Sequence, residues 1–184
     1  MKKLSDYSGG FEPELTHDTF NSETLFKLLQ VYAAHMIRID GLWYGSVMSK
    51  WGNDVALKYD INIMKKARIQ EIEAISGLMN IKGSDVATMV KVIQLSPWVR
   101  TLDFQMDVRD NDYATYMVRA CPTLFTLEKE GKGRGREICL DVCLLGMRIT
   151  ADHFNREIKI EPLKLPPRES EKEICCHWEF SIER

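Results

Sequence analysis

No stretch of this sequence approaches the ~20 consecutive apolar residues that a membrane-spanning helix needs. The opening Met1-Lys2-Lys3-Leu4-Ser5-Asp6 lacks the apolar segment of a secretory leader. Both absences lead to the expectation of a soluble, cytoplasmic protein without a membrane partner. Charge of one sign is lacking too. The 25 basic and 27 acidic residues give a formal net charge of −2, so there is no basic stripe of the kind that displaces counterions from nucleic acid, and none is expected as a partner. Catalytic signatures are absent as well: there is no serine triad and no HExxH pair. The tract Gly131-Lys132-Gly133-Arg134-Gly135-Arg136 is glycine-rich but lacks the lysine followed by serine or threonine of a P-loop. It reads as a mobile connector in which Arg134 and Arg136 are the groups able to meet an anion. No internal repeat is found.

What the chain does have is an ordinary globular composition, 45% hydrophobic and 28% charged over 184 residues, enough to bury a core without covalent staples. It also has five cysteines. That number is odd, two of them are adjacent, and the chain is too long to need a disulfide framework. They read as reduced thiols, metal ligands or core residues.

Residues 1–20 carry Gly9-Gly10, Pro13 and scattered polar groups and are expected to form a loosely held arm. Ser22 is read as the N-cap of a helix to about residue 49. Leu25, Leu29, Tyr32, Met36, Ile39, Trp43 and Val47 recur there at helical spacing and predict a core-facing stripe. The opposite side carries Phe26, Ala33, Ile37 and Tyr44, more apolar surface than a solvated face should show, to be covered by more helix or by a second subunit; a homodimer through the N-terminal helices is the prediction. A short helix from Asn53, a long one over 61–79 and a third begun by Ser84 and ended by Ser96-Pro97 complete a helical half.

Beyond Pro97 the period becomes two. Trp98, Leu102, Phe104, Met106 and Val108 alternate with Thr101, Asp103, Gln105 and Asp107, and Arg109 to Asp112 supplies a turn into a returning strand over 113–120. Cys121-Pro122 opens a short helix closed by Gly131, a further helix covers 137–154, and strands are expected over 158–163 and 173–182. The fold class is therefore α+β. A helical subdomain (21–97) packs beside an α/β subdomain (98–184) with an antiparallel sheet of about four strands, forming one compact unit.

The cysteines fall on these elements unevenly. Cys139 and Cys143, four apart, share an inward helix face with Met147; they suit one metal, or pack as small apolar groups. On a regular strand Cys175 lies with His177 and Glu179, and Cys176 with Trp178 and Phe180. Cys139, Cys143, Cys175 and His177 would together make a tetrahedral zinc site if those faces meet. Cys121, before Pro122, is placed at an N-cap, where free amides favour a thiolate and hence a nucleophile. His153, ten residues beyond Cys143, is ~15 Å from it on a straight helix and reads as a helix-end residue. His35, near Asp40, reads as a satisfied core histidine.

Asp40-Gly41-Leu42-Trp43, Cys121-Pro122, Cys139 and Pro166-Pro167 ahead of Cys176-His177-Trp178-Glu179-Phe180 together resemble an uncharacterised family of bacterial and archaeal cytosolic proteins. That family is similar in its C-terminal part to L-2-amino-thiazoline-4-carboxylic acid hydrolase-like proteins and, more distantly, to 4-vinyl reductase-like small-molecule-binding domains. The resemblance, from about Leu25 onward, implies a helical half beside a ligand-binding α/β half, with Cys121, Cys139, Cys176 and Trp178 at matching positions.

The leading expectation is a small-molecule-binding domain whose pocket lies between the sheet and the 138–154 helix, lined by Cys121, Cys139, Cys143, Met147, Cys176 and Trp178. A hydrolase of a small cyclic or thio-amide-like substrate with Cys121 as nucleophile, and a structural zinc-binding interaction domain, are the alternatives.

Overall fold

The computed structural model describes residues 3–183; Met1 and Lys2 of the expected arm, and the last residue, lie outside the described residues. Helix α1 spans Ser22–Trp51. Its cap is Asn21 rather than Ser22: the extended Asn21 accepts a hydrogen bond from the Thr24 amide at 2.8 Å, while Ser22 is already helical. Gly52, with φ at +88°, turns the chain directly into α2, Asn53–Met79. α2 is one helix where a short and a long one were expected, because nothing between Asn53 and Ser76 breaks it. It stops at Asn80 in the left-handed conformation, which asparagine tolerates better than most residues. Asp85, not Ser84, caps α3, Val86–Leu95, by accepting from the Thr88 amide at 2.7 Å.

A 3₁₀ turn at Pro97–Val99 leads to β1, Asp103–Asp110, which hairpins into β2, Tyr113–Ala120. α4 is Pro122–Glu130, closed by Gly131 in the left-handed conformation. α5, Gly135–Ile138, continues through a π-helical turn at Cys139–Cys143 into α6, Leu144–Phe154; the three segments form one 135–154 helix. β3, Lys159–Lys164, and β4, Cys176–Ser181, complete the sheet. Strand order is β1-β2-β4-β3 with every pairing antiparallel. The architecture is thus the expected α+β fold: N-terminal helices and a four-stranded antiparallel sheet with helices packed on one face.

Register fixes the faces. Phe104 and Met106 lie opposite Val118 and Tyr116, which in turn lie opposite Cys176 and Trp178. This face packs under α3 and α6 with Met89, Ile93, Met147 and Ala151. The other carries Gln105, Thr115, Arg119, His177 and Glu179 and is closed by polar pairs such as Tyr113 to Glu179 at 2.7 Å. One wet and one dry face is what an antiparallel sheet permits.

α1 is far less buried than its apolar stripe predicts. Of that stripe only Val47 is buried; Leu29, Tyr32, Ile39 and Trp43 are exposed, and Ala33 is the other buried residue. α1 packs on α2 and the 97–99 turn, so a single partner helix covers a narrow strip and leaves the rest of a broadly apolar surface open. His35 is likewise exposed, not a core histidine. The described part of the arm folds back on itself: the Leu4 amide donates to Thr19, and Asn21 donates to Leu4.

Candidate functional site

α2 presents an inward stripe at four-residue spacing, Ala56, Asp60, Met64, Arg68 and Ile72, toward the 135–154 helix. Met64 of the stripe packs beside Gly146 of that helix, its sulfur at ordinary contact distance, 3.8 Å, from where a Cβ would stand. The two charged members of the stripe have opposite fates. Arg68, 6% exposed, has three partners: its Nε donates to Thr150 Oγ1 at 2.9 Å, and Nη1 donates to Glu71 at 2.7 Å and Ser96 Oγ at 3.1 Å. It clamps α2 to α6 and to the end of α3. Asp60, 8% exposed, has no hydrogen bond and no ion pair among the described residues. Burial, with repulsion from Asp40 of α1 second, raises its carboxyl to about 6. Asp40 is itself pushed up by burial and likewise has no hydrogen bond or ion pair among the described residues.

The π-helical turn faces this pair. Its signature is the Leu144 amide donating to the Cys139 carbonyl, five residues back, and such turns recur at functional sites because they re-aim one side chain without ending a helix. Cys143 is solvent-accessible, yet contact with the Cys139 thiol, followed by burial, raises its own thiol well above the ordinary range. The turn packs on α2. The Asp60 charge reaches Cys143.

The sheet supplies the opposite wall. Tyr116 of β2, 6% exposed, projects from the dry face, and its hydroxyl makes no hydrogen bond among the described residues. The thiols of Cys176, Cys143 and Cys121 lie close enough to raise it further, though burial is the main cause. Neither the Tyr116 hydroxyl nor the Asp60 carboxylate is sealed in. Unlike Ser76 Oγ, which is enclosed without a partner, both reach accessible space. Cys121 sits at the N-cap of α4 as expected, accepting from the Leu124 amide at 3.4 Å. Burial nevertheless outweighs the cap and pushes the thiol up to about 11, against the thiolate that the N-cap alone would favour. Cys176 is pushed up to about 12 by burial, against a hydrogen bond from Trp178.

Cys121, Cys139 and Cys176 all pack against the core and Cys143 adjoins Cys139, with electrostatic coupling among the Cys121, Cys143 and Cys176 thiols; the other predicted residues are placed elsewhere. Met147 and Trp178, 7% and 1% exposed, are core residues. Cys175 precedes β4 in a bend, so strand alternation does not govern it; it is buried, and its Sγ donates to the Arg119 carbonyl at 3.3 Å. His177 lies on the wet face, opposite Met117 and Lys164. The set Cys139, Cys143, Cys175 and His177 does not converge, and among the described residues no three His, Cys, Asp or Glu side chains form a metal-holding group.

Asp60, Asp40 and Tyr116 were missed from the sequence. The available signal was the spacing Ala56, Asp60, Met64, Arg68, Ile72, which places two charges on a helix face otherwise fit for burial. Where α1 turns into α2, Tyr44 donates to Asn53 Oδ1 at 2.8 Å, and Arg134 donates to the same atom at 3.1 Å and to Glu130 at 2.5 Å. The glycine-rich connector is thus tied to the turn between α1 and α2. A separate open groove of about 620 Å³ runs along it, lined by Leu124, Gly131, Arg136, Pro166 and Arg168. Arg168 is already paired with Glu128 at 2.5 Å and Arg136 reaches the Pro166 carbonyl, so that groove leaves few polar groups for a ligand. No helix among the described residues is long and apolar enough to cross a membrane.

No curated protein and no solved structure matches the chain. The model of a family described as a family of unknown function (DUF6125) matches residues 18–182, which takes in every helix of three turns or more, all four strands and each of the candidate site residues, and the chain belongs to that family.

Proposed function

We propose that the protein binds a small molecule in the cleft between α2, the 135–154 helix and the sheet, against Cys143, Cys176 and Cys121. The observation that carries this reading is that two buried polar groups from different elements, the Asp60 carboxylate and the Tyr116 hydroxyl, make no hydrogen bond among the described residues and both interact electrostatically with the exposed Cys143. Buried polar groups are ordinarily hydrogen-bonded, and a ligand would supply what the chain does not. The resemblance to small-molecule-binding domains, drawn from Cys121-Pro122, Cys139 and Cys176, is in keeping with this. A reducing, cytoplasmic setting suits five unpaired thiols.

Reagent size tests the cleft. Methyl methanethiosulfonate should modify Cys143 in the folded protein at pH 9, and a 5 kDa polyethylene glycol maleimide should not until urea unfolds the chain. Equal access for the two reagents would place Cys143 on the outer surface and end the reading. A hydrolase using Cys121 is less favoured, since a thiol raised to about 11 is almost wholly protonated at neutral pH. A zinc-binding role would need ligands other than the four expected.

A second copy of the chain is the proposed occupant of the exposed face of the α1–α2 hairpin. The Trp43 and Tyr59 rings meet edge to face at 6.3 Å, and around them Ile39, Leu42, Val55 and Ile63 are 36–66% exposed. At 150–250 Å² for a large side chain this patch amounts to roughly 500 Å², the upper range for a monomer and a large part of the ~800 Å² per partner of a stable interface. Sedimentation equilibrium should give a dimer at micromolar concentration that Leu42→Glu dissociates; a monomer would remove the idea.

A further inference from the structure

A second open groove, of about 480 Å³, lies where α1 meets the Pro97–Val99 turn that follows α3. Leu29, Tyr32 and Met36 of α1 line it with Leu95 and Pro97, and its single charged lining residue is Arg100. That volume falls within the ~300–1,000 Å³ typical of small-molecule sites. The walls are held in place. Val99 is buried in the core, and the Tyr32 ring is met edge to face by His17, whose Nε2 is 3.3 Å from the Tyr32 hydroxyl.

Arg100 is half-buried, and the chain provides it with no counter-charge. Its Nη2 donates to the Gln94 carbonyl near the end of α3, where the helix dipole adds only a fraction of a negative charge. Nε is enclosed and has no hydrogen-bond partner. Nη1 makes no hydrogen bond among the described residues, and Arg100 forms no ion pair with any of them. The enclosed Arg68, Arg134 and Arg168, by contrast, each hold a glutamate: Glu71, Glu130 and Glu128. Buried polar atoms are ordinarily hydrogen-bonded and desolvated charges paired, so an anion from outside the chain would complete the Arg100 site.

The surroundings limit what that anion can belong to. A carboxylate matches the guanidinium in shape and in its single charge. Every other lining side chain is apolar or aromatic, and Leu29, Tyr32 and Leu95 are 59%, 52% and 39% exposed, surface that an apolar body would cover. We infer that this groove binds a small carboxylic acid with an apolar tail, its carboxylate on Arg100 and its tail along Leu29, Tyr32, Met36, Leu95 and Pro97. The site is separate from the cleft at Cys143 and does not rest on that reading.

Calorimetric titration of the full chain at pH 8 with three matched probes tests it: octanoate, neutral 1-octanol and octylammonium. Octanoate should bind at least tenfold more tightly than the alcohol, and the ammonium should bind weakest. Arg100→Gln should bring octanoate down to the level of the alcohol while leaving the alcohol unchanged. Leu29→Glu, at a position already exposed, puts a carboxylate of the chain itself in the groove and should weaken octanoate at least tenfold. Circular dichroism checks that both variants fold, and Leu29→Glu carries the test alone if Arg100→Gln does not. Equal binding of octanoate and 1-octanol, octylammonium bound as tightly as octanoate, or an octanoate affinity indifferent to the substitutions would overturn the assignment. So would the absence of octanoate binding at millimolar concentration, and none of these outcomes bears on the reagent-size experiment at Cys143.

Discussion

Replacing Asp60 with asparagine should stabilise the protein at neutral pH, and the gain can be worked from its surroundings. The folded carboxyl titrates at about 6 against an ordinary 3.8, so between those values the folded state holds a proton that the unfolded chain has released. Stability falls with rising pH wherever the folded state binds more protons. The Asp60 contribution is therefore neutral below about pH 4, becomes unfavourable between 4 and 6, and is constant above 6. At 1.36 kcal/mol for each unit, the penalty at pH 8 is about 3 kcal/mol. The groups that face Asp60 are Asp40 and Tyr44 from α1 and Cys143 from the π-helical turn, with Arg134 and Glu137 acting on Tyr44. None of them supplies a compensating pair. The Asp60→Asn amide keeps the shape and removes the charge, so urea unfolding should show the variant about 2–3 kcal/mol more stable at pH 8 and equal to the parent at pH 4. In a chain of this size that corresponds to roughly 5–10 °C in Tm. A stability difference that does not change with pH, or a loss of stability at pH 8, would refute the assignment of Asp60 as a buried, uncompensated charge.

Three other substitutions or modifications have defined outcomes. With its thiol pushed up to about 11, Cys121 should be alkylated by iodoacetamide at pH 8 about 100-fold more slowly than a free cysteine, as followed by peptide mass spectrometry; a normal rate would restore the N-cap thiolate. Arg68→Ala should cost about 2–4 kcal/mol, since it leaves the part-buried Glu71 beside it without its ion-pair partner, and adding Glu71→Ala should recover part of the loss in denaturant melts. Gly83→Ala should cost about 1–3 kcal/mol, because Gly83 has φ at +144° and its added Cβ would stand 2.3 Å from Thr88 Oγ1; an unchanged unfolding midpoint would mean that the 80–85 loop relaxes freely.

The resemblance of the two lobes to separate subdomains hides a mechanical link. Arg68 ties α2 to α6 and α3, and Asn53 ties the α1–α2 turn to Arg134 and Glu137.

Some features depended only on neighbouring residues, and these were legible in the sequence. The alternation from Phe104 to Val108 with the turn at Arg109 to Asp112 gave the β1–β2 hairpin, because side-chain period and turn chemistry are local. Cys121 before Pro122 gave the N-cap of α4 for the same reason. Even the small errors at Asn21 and Asp85 were shifts of one residue between adjacent capping side chains. The sharing of one helix face by Cys139 and Cys143 also survived the π-helical turn between them.

What tertiary structure alone decided is burial and charge. Whether the α1 stripe faced a core depended on how many helices would cover it, and only α2 does so along most of its length. Cys175 left the strand alternation because the chain enters β4 through a bend. The thiol of Cys121 and the carboxyl of Asp60 depart from their ordinary behaviour because segments far away in sequence exclude water from them. Asp40, Asp60, Tyr116, Cys143 and Cys176 span most of the chain, and only the packing of α1, α2, the 135–154 helix and the sheet brings their charges within reach of one another. Desolvation is a sum over those distant neighbours, so it cannot be read from any window of the sequence, whereas period and capping can.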